Sequence, residues 1–184
     1  MSSESQRARF EREILPHLDA AHNLARWLLG GSDDAQDVVQ EAVLRSYKYF
    51  AGFHGDNGKA WLLRIVRHSC YDWVGRRPRM ESMSPDEEGQ LNPEHERALE
   101  AAGHGLPAPD AALFQRADQA MMRDALESLP REHREILVLR EVEELSYKEI
   151  AAIADIPLGT VMSRLSRARD LLLQRLGHRR EVAS

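Results

Sequence analysis

The chain has 184 residues, 42% of them hydrophobic and 30% charged, with a formal net charge of −5. This is the composition of a soluble globular protein of one ordinary or two small domains, and it excludes fibrous and disordered classes. No apolar run approaches the roughly 20 residues of a bilayer span, the polar first residues lack a secretory core, and a single cysteine, Cys70, excludes an internal disulfide. The expected address is the cytoplasm, with no membrane insertion.

Phe10, Ile14, Leu18, Ala21, Ala25 and Leu28 recur at three- and four-residue steps. That spacing predicts one amphipathic helix, closed by Gly30 and Gly31. A second helix starts near Ser32-Asp33-Asp34 and runs through Val39, Val43 and Tyr47 to about Phe50. After a glycine-bearing loop from Ala51 to Gly58, a third helix turns Trp61, Ile65 and Trp73, with Leu62, Val66 and Cys70, towards a core. Residues 81–117 then gather Pro85, Pro93, Pro107 and Pro109 with Gly89, Gly103 and Gly105, so they read as a flexible linker. The expected units are 1–80 and 118–178. With no alternating strand pattern, the fold class is all-α: two small helical domains, each marginally stable alone.

Four short helices fit residues 118–176. The first ends before Pro130, and the second runs from Arg131 to about Val142 with Ile136, Leu137 and Leu139 inward. Ser146-Tyr147-Lys148-Glu149 is a capping-box pattern that opens a third helix ending near Ala154. Asp155-Ile156-Pro157-Leu158-Gly159 reads as a tight turn, with the glycine supplying conformational freedom. The fourth helix carries Val161, Leu165, Ala168 and Leu172 within about 60° of one another. Its opposite face is Thr160, Ser163, Ser166, Arg167 and Asp170, flanked by Met162, Arg164 and Arg169.

The net acidity conceals two basic segments. Lys59, Arg64, Arg67, Arg76, Arg77 and Arg79 face only Asp72, and Arg164, Arg167, Arg169, Arg175, Arg179 and Arg180 face only Asp170. The spacer between holds Glu81, Asp86, Glu87, Glu88, Glu94, Glu96, Glu100 and Asp110 against Arg97. Basic segments suit polyanion-facing surfaces, although solvated helix faces give similar counts. For the fourth helix the short capped helix and tight turn before it decide the matter. Small polar side chains let a backbone approach the major groove, and arginine pairs two-pronged with guanine. The unit is expected to bind DNA.

Asp124-Ala-Leu-Glu-Ser-Leu-Pro130, Glu135-Ile-Leu-Val-Leu-Arg140, Leu145-Ser-Tyr-Lys-Glu-Ile-Ala-Ala152 and Pro157 to Arg169 closely resemble the fourth region of bacterial RNA polymerase sigma factors of the extracytoplasmic-function (ECF) group. Asp34 to Tyr47 resembles the second sigma region. Phe53-His-Gly-Asp56, Trp61 to Val66 and Asp72 to Arg77 resemble the promoter-melting part that follows. The resemblance implies a protein that is no enzyme and takes no cofactor or small-molecule substrate. Its implied partners are core RNA polymerase, promoter DNA and an anti-sigma factor.

By that resemblance, the −35 element is met by Thr160, Met162, Ser163, Arg164, Ser166, Arg167 and Arg169. Met162 and Ser166 stand where relatives often carry an arginine and a bulkier residue. Asp37, Gln40, Glu41 and Leu44 match polymerase-docking positions. The −10 strand falls to Phe53, His54, Asp56, Asn57, Arg64, Arg67, His68, Arg76 and Arg77, with His68 where asparagine is usual. The residues themselves leave two points open: Phe53 serves equally well as plain core, and acids early in the second helix fit the helix dipole.

No His-x-x-x-His pair, phosphate-binding glycine loop or hydrolase elbow occurs in the sequence, so neither a metal site nor catalysis is expected. Two rivals are a sigma-like mimic that titrates an anti-sigma factor and a stand-alone helix-turn-helix regulator. The retained arginines of the fourth helix speak against the first. The Asp37-Val-Val-Gln-Glu41 segment and the basic third helix speak against the second.

Overall fold

A computed structural model describes residues 3–30, 33–76 and 119–182. The chain divides into two compact units, the first ending near residue 81 and the second holding almost all of the chain beyond it. The expected linker, 81–117, lies outside the described residues. Every element among those described is helical.

In the first unit, α1 (Ser3–Glu13) and α2 (Leu18–Leu29) are separate helices joined by a 3-10 turn at Leu15–His17. The sequence spacing predicts a single helix here, and Pro16 breaks it. Proline has no N–H to donate, and its ring would meet the carbonyl one turn back. The apolar spacing survives the break because both pieces face one core: Phe10 and Ile14 from α1, then Ala20, Ala21, Leu24, Ala25 and Leu28 from α2 are all buried. Gly30 ends α2 at φ 79°, a left-handed conformation that costs glycine nothing.

α3 (Asp33–Tyr49) buries Ala35, Val38, Val39, Ala42 and Ser46, whose hydroxyl donates to the Val43 carbonyl at 2.7 Å. A 3-10 turn at Phe50–Gly52 leads to the loop before α4 (Gly58–Arg76). α4 packs on both α2 and α3 through Leu62, Leu63, Val66 and Cys70. The sequence pattern places Trp61, Ile65 and Trp73 on the core side as well. They prove half-buried: Trp61 and Ile65 lie off the inward face, which is centred nearer Leu62 and Leu63, whereas Trp73 lies on that face in the last turns of the helix.

The second unit comprises α5 (Gln119–Glu127), α6 (Arg131–Leu137) running into a π turn at Val138–Val142, α7 (Tyr147–Ala154) and α8 (Leu158–Val182). Pro130 starts α6, where a missing N–H costs nothing. The capping box is present: the Ser146 hydroxyl accepts from the Glu149 N–H at 3.2 Å, and the Glu149 carboxylate accepts from the Ser146 N–H at 2.6 Å. The turn between α7 and α8 takes its left-handed residue at Asp155, φ 56°, and not at Gly159, which lies in the first turn of α8. Val161, Leu165, Ala168 and Leu172 are all buried, as their stripe requires, and Leu176 extends it.

Candidate nucleic-acid and polymerase-docking surfaces

α8 is oriented by its apolar stripe, so its remaining faces follow from the helical period. Ser166 and Arg167 are exposed; Thr160, Met162, Ser163 and Arg164 are half-buried. The Ser163 hydroxyl donates to the Thr160 carbonyl at 3.1 Å, so its oxygen keeps only the capacity to accept. Arg164 lies 3.6 Å from the Glu132 carboxylate of α6. Arg167 forms no ion pair among the described residues.

Arg169, expected to meet DNA, is engaged within the unit. Its Nε and Nη2 both donate to Glu141 Oε1, at 3.1 and 2.6 Å, and the Glu141 side chain is wholly buried. Burial works against the Arg169 charge, yet the hydrogen bonds and charge of Glu141 outweigh it and hold the guanidinium above its ordinary value. The π turn contributes here. It adds a residue to the α6 ladder, with the Glu143 N–H reaching back to the Val138 carbonyl at 3.0 Å. Arg140, in the same turn, donates to the Leu145 carbonyl at 2.8 Å and lies 4.9 Å over the Tyr147 ring. Glu141 and Arg140 thus tie the end of α6 to α8 and to the start of α7. Sequence reasoning missed Glu141, since nothing marks a partnership across 28 residues.

In the first unit, α3 turns Asp37, Gln40, Glu41 and Leu44 to solvent along one face. Leu44 is 72% exposed, an unusual place for a large apolar side chain. It stands one helical turn beyond Gln40 and Glu41, so the face is an apolar knob beside acidic and amide groups.

The −10 candidates separate into three kinds. His54, Asp56, Arg64 and His68 are exposed, and Arg67 is half-buried with its guanidinium 4.5 Å over the Tyr71 ring. Phe53 is core: 6% exposed, stacked on Phe50 with ring centres 5.7 Å apart and tilted against Trp61 at 4.8 Å. Its ring is covered before any base arrives. Asn57 serves the fold, its side-chain oxygen accepting from the Ala60 N–H at 2.9 Å as the N-cap of α4. Arg76 is the last residue of α4, and Arg77 lies outside the described residues.

Residues 14–80 match Sigma-70 region 2, and residues 119–172 match Sigma-70 region 4. The chain is 37% identical over 145 residues to the ECF RNA polymerase sigma-E factor of Escherichia coli K12, an alignment covering 77% of this chain and 73% of that one. It is 32% identical over 145 residues to the RNA polymerase sigma-H factor of Pseudomonas aeruginosa, covering 77% and 72%. The chain is an ECF sigma factor. Like others of its family, this sigma factor binds core RNA polymerase and directs promoter recognition and the start of transcription. A solved structure of the sigma factor RpoE with the anti-sigma factor NepR from Bartonella quintana is similar to it, with a TM-score of 0.63 and 26% identity over 92% of this chain and 97% of that one. Among the described residues, no helix of this sigma factor is long and apolar enough to cross a membrane.

Proposed function

We propose a division of labour for this sigma factor in which α3 docks on core polymerase, the segment from His54 into α4 meets the −10 strand, and α8 reads the −35 duplex. The observation that carries it is the exposed Leu44, flanked on one face by Asp37, Gln40 and Glu41. Such a knob gains by burial against a partner whose charge complements the acids. On α8 the reading positions are Thr160, Met162, Ser163, Ser166 and Arg167, with Arg164 at their edge; Arg169 serves to hold the helix. On α4, Arg64, Arg67 and His68, with Arg76 and Arg77 beyond, supply phosphate contacts whose number sets the salt dependence of binding. Phe53 and Asn57 shape the −10 segment from inside and touch no base.

The workplace of such a factor is the cytoplasm, where the polymerase is. Its restraint when unneeded falls to an anti-sigma protein, in keeping with the resemblance to RpoE solved with NepR. The test is assembly: core RNA polymerase with this chain should initiate from promoters that the core alone ignores. Leu44→Asp should weaken core binding roughly tenfold to a hundredfold, the loss of one buried leucine, with thermal unfolding unchanged because Leu44 is in no core. Unaltered affinity for core would remove α3 as the docking face.

A further inference from the structure

α1 grips the −10 loop at both of its ends, although 44 residues of chain separate Arg9 from Phe53. At the first end, Arg9 Nη2 donates to the Phe53 carbonyl at 2.9 Å. The same guanidinium lies 5.0 Å from the Phe50 ring centre and 5.9 Å from that of Phe53, and its Nε donates to Glu13 at 3.1 Å. Hydrogen bonding from Arg9 holds the Glu13 carboxyl below its ordinary range. At the other end, Gly58 sits directly against the backbone carbonyl of Glu13, with no room for a β-carbon. Arg9 and Glu13 are one helical turn apart, so a single stretch of α1 holds both Phe53 and Gly58.

What lies between these two points is exposed: His54, Gly55, Asp56 and Asn57. Asn57 is occupied in capping α4, and the Phe53 N–H is fixed by the Phe50 carbonyl at 2.9 Å. The segment is therefore a short arch with anchored ends and two exposed polar side chains, His54 and Asp56, at its crest.

We propose that Arg9 is a positioning residue for −10 recognition, holding the arch in the shape that reads an unpaired base. This rests on the reading of His54 to Asn57 as the part that meets the −10 strand. An arch ordered only on arrival of the base would subtract its ordering cost from binding, whereas a preformed one does not. Arginine suits the post because its planar fork reaches carboxylate and carbonyl together while its face covers two rings; lysine offers a point charge and cannot do all three.

The experiment uses holoenzyme assembled from core polymerase and the full chain. Wild-type holoenzyme first enriches a promoter from a pool of randomised duplexes. Affinity is then measured for the enriched −10 single strand and for strands with each base changed. Arg9→Gln and Arg9→Lys should reduce discrimination between these strands roughly tenfold, the scale of one misread base, while affinity for core polymerase and for the −35 duplex stays at the wild-type level. Arg9→Lys keeps the stem and charge, so it remains informative if Arg9→Gln unfolds. His54→Ala and Asp56→Ala test the underlying reading. If they lose discrimination and Arg9→Lys does not, Arg9 has no positioning role. If neither crest variant changes discrimination, the loop does not read the −10 strand and the role of Arg9 falls with it.

Discussion

Gly58 shows how one residue can set the approach of two helices. A β-carbon there would collide with the Glu13 backbone carbonyl, which cannot swing aside as a flexible side chain would. Gly58→Ala should therefore separate α4 from α1 and cost about 1–3 kcal/mol, the usual penalty of overpacking, read as a lowered denaturation midpoint. A midpoint at or above wild type would mean that the backbone gives way freely. Arg167 is the opposite case, an exposed cation with no ion pair among the described residues. Arg167→Ala should leave stability unchanged and cost about 1–3 kcal/mol of −35 affinity if it pairs with a base edge. The loss should be confined to specific duplex, since a phosphate contact would weaken scrambled duplex by the same amount.

Between elements, the Glu141–Arg169 pair decides where α8 lies against α6. Removing one partner leaves the other's charge partly buried, which is the costly way to break such a pair. Glu141→Gln should destabilise by about 2 kcal/mol, below the range for fully buried pairs because a quarter of the Arg169 side chain remains exposed. The double variant Glu141→Gln with Arg169→Met should recover much of that loss, and additive losses in urea melts would show that the two do not couple. Part of this was legible in the sequence. At 100° per residue, Arg164 and Arg169 lie roughly 70° from the centre of the buried stripe of α8, whereas Arg167 lies roughly 130° away. The two edge arginines find carboxylates, and among the described residues Arg167 does not. What the period cannot supply is the partner, because the π turn shifts the ladder and brings Glu141 round to α8. The same limit applies to α1: apolar spacing finds its inward face, but spacing alone runs through Pro16 as one helix. Phe53 was undecidable for a related reason, since only the neighbouring Phe50 and Trp61 rings distinguish a core aromatic from a base-stacking one.

At the scale of the whole molecule, charge is distributed against its sum. The chain carries −5 overall while the segments expected to meet DNA are basic, and the acids concentrate at Glu81, Asp86, Glu87, Glu88, Glu94, Glu96, Glu100 and Asp110. At a distance a DNA duplex meets the net charge, and only at contact does it meet the local arginines. The free factor should then associate poorly with arbitrary DNA at low salt, leaving promoter binding to the holoenzyme. Replacing those eight acids by their amides turns the formal charge from −5 to +3 without touching α3, α4 or α8. The full-length variant should bind non-specific duplex roughly tenfold more tightly near 50 mM salt, and the difference should shrink several-fold by 300 mM as screening shortens the field to a few ångströms. Fluorescence anisotropy with a scrambled duplex across that range is sufficient. Equal affinities at low salt would mean that the acidic segment exerts no field on approaching DNA, and that the weakness of the free factor must come from the reading faces themselves.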